Sequence, residues 1–128
     1  MANRRIVDLN DEAVRQEIWE KGIIVENYDK DSFRQDVAGA WISRNAYGDT
    51  NSVFGWVIDH IYPQSLGGED DIDNLRPMHW RNNLSKKDDY PHYTAVVVAE
   101  NNRNIERETS CTVNKNLQKI LNELYNVN

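Results

Sequence analysis

Apolar positions along the chain recur at two different periods, and the changes of period divide it into elements. Val14 and Ile18 stand four apart behind Asn10, Asp11 and Glu12. The spacing predicts a helix from about Asp11 to Lys21 with Asn10 as its cap, and the two acids face the positive end of its dipole. Ile23-Ile24-Val25 is apolar but too short to classify. Asp29 to Ser32 reads as a turn and Gly39 to Arg44 as a strand, with Arg34 pairing with Asp36 or Asp31. The run Tyr47 to Ser52 is rich in turn formers. Val53 to Ile58 is aromatic and β-branched, and predicts a strand leading into Asp59-His60.

The chain from Pro63 to Asp73 is polar, and Gly67-Gly68 permits positive φ, so this is a surface loop. Leu75 to Met78 predicts a short return strand that Pro77 confines to an edge. His79 to Lys87 is polar and compatible with a short helix. Tyr93 to Glu100 predicts a strand, Asn101 to Asn104 a turn, and Ile105 to Val113 a second strand with an exposed middle at Glu106-Arg107-Glu108. Asn114 then caps a last helix, on which Leu117, Ile120, Leu121 and Leu124 form an apolar stripe. That stripe packs on the chain's own core or against a second copy in a homodimer.

At 128 residues the pattern is that of one domain, 1–128, of class α+β. No run of 18 apolar residues is present, which argues against a membrane partner. The basic start Met1-Ala2-Asn3-Arg4-Arg5 is not followed by an apolar stretch, and the single Cys111 has no internal disulfide partner. Both favour a cytoplasmic location. The net charge of −6 argues against tight binding of nucleic acid through a broad basic surface.

The most specific chemistry lies between 59 and 86. Asp59 adjoins His60, Asn74 follows in the loop's end, and Asn83 stands in the short helix. A carboxylate ligand, an imidazole base and a second oxygen ligand are what one-metal phosphodiester hydrolysis requires. Neighbours at a strand end point in roughly opposite directions, so one can hold metal while the other addresses water. Two oxygen ligands suit Mg²⁺, with Mn²⁺ as an alternative. Arg76, Arg81, Lys86 and Lys87 are the nearby cations available to a phosphate backbone.

With Ile61, Pro63, Gly67-Gly68, Leu75 and Lys86 in register, these residues resemble the HNH motif of the ββα-metal (His-Me finger) superfamily. The resemblance covers about 53–88, with 93–128 as a hairpin-plus-helix extension. It implies a DNA endonuclease in which His60 is the general base, Asp59 and Asn83 hold a divalent metal, and Asn74 fixes the loop beneath the histidine. Many such proteins carry two Cys-x-x-Cys pairs around a structural zinc. Here His79 and Asn82 stand where the second pair would be and no first pair exists, so no structural zinc is expected. The competing reading is a non-catalytic nucleic-acid or protein-binding module on the same fold.

Overall fold

A computed structural model describes residues 4–127; Met1 to Asn3, part of the basic start, and Asn128 lie outside the described residues. The order is α1 (Glu12–Trp19), β1 (Phe33–Gln35), β2 (Trp41–Ser43), β3 (Trp56–His60), β4 (Leu75–His79), α2 (Trp80–Lys86), β5 (His92–Glu100), β6 (Arg103–Thr112) and α3 (Lys115–Tyr125). The strands pair antiparallel as β1–β2, β3–β4 and β5–β6, in separate ribbons. Helices and small antiparallel sheets are thus mixed, an α+β arrangement. Among the described residues no helix is long and apolar enough to cross a membrane.

The β3–β4 ribbon is covered on both faces, which explains why every residue of β4 is buried. On one face Trp56, Ile58 and Leu75 pack with Val14, Ile18 and Trp19 of α1 and with Ile42. On the other, Ile61 and Met78 pack with Tyr93, Val113, Leu121 and Leu124. The α3 stripe is therefore used mostly within the chain: Leu121 and Leu124 are buried, and Ile120 remains 39% exposed. The buried part of the stripe thus packs on the chain's own core.

Several elements differ from the sequence expectation. Asp11, not Asn10, caps α1 by accepting from Ala13 N–H at 2.9 Å. β3 starts at Trp56 because Ser52 to Gly55 close a turn, with Gly55 N–H donating to Ser52 O at 3.2 Å. β1 was not legible because Arg34, at its centre, breaks any apolar alternation. The Arg34 side chain is buried and donates to the carbonyls of Lys30, Glu20 and Gly22, so it pairs with neither Asp36 nor Asp31.

Asp36 ties the ribbons together. Its Oδ1 accepts from Ala38 and Ala40 N–H at 3.0 and 2.8 Å. Its Oδ2 accepts from His79 N–H at 3.0 Å and Asn82 Nδ2 at 3.1 Å. Asn82 Oδ1 in turn accepts from Val96 and Val97 N–H, where β5 bulges. His79 caps α2, its Nδ1 accepting from Arg81 N–H at 3.1 Å. Burial pushes the His79 pKa down, with the bond to Val53 O opposing, so the ring is neutral at neutral pH.

Candidate active site

Asp59 lies near the end of β3, directly across from Arg76 of β4. Both side chains are buried, at 2% and 7% exposure. The pairing register makes them meet: Arg76 Nε donates to Asp59 Oδ2 at 2.9 Å. Asp59 Oδ1 accepts from Asn83 Nδ2 at 3.1 Å, and Lys86 Nζ stands 3.4 Å from the same oxygen. Asn83 and Lys86 lie three apart on α2, hence on one face of it.

Lys86 is fully buried. Its ammonium also donates to the carbonyls of His60 and Ile61, both at 3.1 Å. Burial pushes its pKa below the ordinary lysine range, while the Asp59 carboxylate opposes that shift. Arg76 and Lys86 therefore do not stand on an exposed cationic face. Contrary to the sequence expectation, both are committed inward, to Asp59 and to the backbone around His60. Arg81 is more exposed and pairs with Glu106 of β6 at 2.8 Å, and Lys87 is exposed. The short helix presents alternate sides to core and solvent, so adjacent lysines take opposite directions.

His60 ends β3 with its side chain 16% exposed. Its Nε2 lies 2.7 Å from Asp70 Oδ1, a partner that sequence reasoning missed. Asp70 sits in the run Glu69-Asp70-Asp71, where nothing local separates one acid from the next. The loop between them is tightly held. Asn74 is fully buried; its Oδ1 accepts from Tyr62 N–H at 2.7 Å, and its Nδ2 donates to Tyr62 O at 3.0 Å and Glu69 O at 3.1 Å. One amide thus closes the loop at both ends. Gly67 has φ +109°, as the loop's chemistry suggested, whereas Gly68 is needed for space: a Cβ there would lie 1.8 Å from Tyr62 O.

Asp59, His60 and Asn83 line one open cleft of about 330 Å³, together with Ile58, Pro63, Gln64, Lys87 and Asp88. Asn74 lies beneath the loop rather than in the cleft. Among the described residues no three of His, Cys, Asp and Glu gather as a metal cluster. Any cation would be held by Asp59 and Asn83, with water and substrate completing its shell. That donor set fits a hard cation such as Mg²⁺ or Mn²⁺ that keeps several waters. The amide, as placed, presents nitrogen to Asp59. Ligation needs its oxygen instead, which a half-turn of the terminal amide supplies.

Residues 51–89 match the family model described as HNH endonuclease. No curated protein and no solved structure matches the chain. The matched segment runs from the turn before β3 to just past the end of α2, and it contains Asn74 and the cleft lined by Asp59, His60 and Asn83. Over that segment the chain is similar to the HNH endonuclease family.

Proposed function

We propose that β3, β4 and α2 form a ββα-metal core and that the chain is a metal-dependent endonuclease hydrolysing DNA phosphodiester bonds. The observation that carries this reading is the convergence of Asp59, His60 and Asn83 on one open cleft, with Asn74 clamping the intervening loop. Asp59 and Asn83 would hold a divalent cation, Mg²⁺ or Mn²⁺, which would supply charge stabilisation to the transferring phosphoryl group. Asp59 is oriented for this by Arg76, and its remaining oxygen faces Asn83. His60 accepts the proton of the attacking water. A neutral imidazole offers one ring-nitrogen lone pair to that proton. Lys87 is the exposed cation on the cleft wall that draws in phosphate.

The test compares parent and His60→Ala on supercoiled plasmid with Mg²⁺ or Mn²⁺. Cleavage should fall on the order of 10²–10⁴-fold, the usual worth of a positioned base. Equal rates under saturating metal would remove His60 from the chemistry. One observation favours a second reading, a non-catalytic binding module. The net charge is −6, and Arg76 and Lys86 are turned away from solvent. A parent that binds DNA yet leaves it intact with both ions would support that module instead.

A further inference from the structure

The three consecutive acids of the site loop do different work. Glu69 pairs with Arg4 at 2.7 Å. Asp71 is buried and accepts from the backbone N–H groups of Arg5 and Asp73, at 3.0 and 2.9 Å. Only Asp70 reaches the imidazole, its Oδ1 lying 2.7 Å from His60 Nε2. Asp70 does not line the cleft, so it meets a substrate there only through His60.

The backbone that carries Asp70 is fixed on both sides. Glu69 O accepts from Asn74 Nδ2 at 3.1 Å, and Asp70 O accepts from Val7 N–H at 2.9 Å. His60 is fixed in turn at its carbonyl, by Lys86 Nζ at 3.1 Å. The ring is therefore held at its backbone and at one nitrogen, by groups that are themselves anchored.

We infer that Asp70 is the positioning residue of His60: it engages Nε2, fixes the ring and its tautomer, and leaves Nδ1 as the atom that takes the water proton. This rests on the hydrolase reading above. A neutral imidazole has one N–H and one lone pair. A carboxylate facing Nε2 selects the N–H there and puts the lone pair on Nδ1. In the reaction a water O–H bond breaks, its proton goes to Nδ1, and the oxygen forms the new bond to phosphorus. The bond from phosphorus to the 3′ oxygen breaks, and that oxygen takes a proton from solvent. The imidazolium so formed is balanced by Asp70, as the acid of a catalytic triad balances its histidine.

The experiment measures plasmid nicking by the full chain under saturating Mn²⁺, with Asp70→Asn introduced alone and together with His60→Ala. The neutral amide keeps the size but neither dictates the tautomer nor balances the charge. Alone it should lower kcat about 10- to 100-fold, with KM for DNA and the Mn²⁺ midpoint unchanged. On the His60→Ala background it should cost nothing further, because residues acting as one unit are not additive. An unchanged kcat, or an added loss on that background, would overturn the inference. Long-range ¹H–¹⁵N spectra of the metal-free parent give a readout independent of both activity and the variant's folding. Neutral His60 should carry its proton on Nε2; a proton on Nδ1 would overturn the assignment. A parent that nicks nothing removes the hydrolase reading itself, whereas a parent matched by Asp70→Asn removes only the role of Asp70.

Discussion

Asp36 and Asp59 are both buried carboxylates with their hydrogen bonds satisfied, but by different chemistry. Asp36 accepts four N–H groups, three from the backbone and one from Asn82. None of them is a cation, and the site is closed on every side. Asp59 has two cations, Arg76 and Lys86, and an amide, with one side on an open cleft. The difference separates an acid held by fixed donors from one that, on the proposed reading, holds a cation. Backbone donors cannot leave, so Asp36 is fixed. Asn83 is a neutral side-chain donor that can turn, so on the proposed reading Asp59 exchanges it for a cation. Burial alone does not mark a functional carboxylate; the replaceability of its partners does.

The largest expected effects would break this comparison if they failed to diverge. Asp36→Asn places an NH₂ group against donors such as His79 N–H or the Asn82 amide. Each stranded buried donor costs about 1–3 kcal/mol, so the unfolding free energy should fall by roughly 2–4 kcal/mol. Asp59→Asn leaves Arg76 and Lys86 without their counter-charge, and should cost about 3 kcal/mol as well. Denaturant unfolding in water alone therefore does not distinguish them. Repeating it with Mn²⁺ does. A ligand that binds the native state stabilises it, so the parent and Asp36→Asn should gain stability with Mn²⁺ while Asp59→Asn gains none. Cleavage by Asp59→Asn should also fall at least about 10²-fold, or roughly 2.7 kcal/mol of barrier. An equal Mn²⁺ effect in both variants would place the cation elsewhere.

A smaller effect tests the electrostatics of the closed site. Burial pushes the Asp36 pKa above the ordinary carboxylate value, against the opposing pull of the N–H donors of His79, Ala40 and Asn82. A carboxyl whose folded pKa is raised holds its proton more tightly when folded. Its contribution to stability is fully present below the unfolded pKa of about 3.9, and declines as pH rises through the folded value. The stability difference between parent and Asp36→Asn should therefore shrink from about pH 4 upward. A difference that grows over that range would mean that the four donors outweigh burial and hold the anion.

Which of these features the sequence displays follows from their range. Asp59, His60, Asn74 and Asn83 lie within one strand–loop–strand–helix unit, whose strand, loop and helix signals are local. Their order along that unit could be read from spacing, whereas the cleft that Asp59, His60 and Asn83 line, with Asn74 beneath the loop, is visible only in the fold. The capping of α3 by Asn114 was legible for the same reason, its Oδ1 accepting from Leu117 N–H three residues on at 2.8 Å. Asp36 was opaque because its bonds to His79 and Asn82 span 43 and 46 positions. Arg76 and Lys86 misled because lysine and arginine are rarely buried unless paired, and their partner Asp59 was assigned to metal alone. Asp70 was hidden among like neighbours, and only the fold of the loop separates it from Asp71.

The smallest effect sharpens the account of what approaches the open side of Asp59. Lys87 follows α2 with φ +52° and ψ −131°, a backbone conformation that side chains other than glycine rarely adopt. Its N–H still bonds to Asn83 O at 3.2 Å, so the geometry is held by the helix end that carries the candidate ligand. Lys87→Gly relieves the strain, worth about 1–3 kcal/mol, but adds freedom to the unfolded chain worth about 0.5–1 kcal/mol. The net should be a gain of roughly 1 kcal/mol in thermal or denaturant unfolding. The same change removes the exposed cation from the cleft wall. DNA affinity, measured on the His60→Ala background, should fall several-fold, and the salt slope should drop by about one phosphate contact. A variant that is more stable, binds more weakly and has a shallower slope would show that strain at the cleft is retained for a phosphate contact. One that is more stable with the slope unchanged would leave Lys87 a solvated side chain, and phosphate attraction at the cleft would rest on the cation held by Asp59.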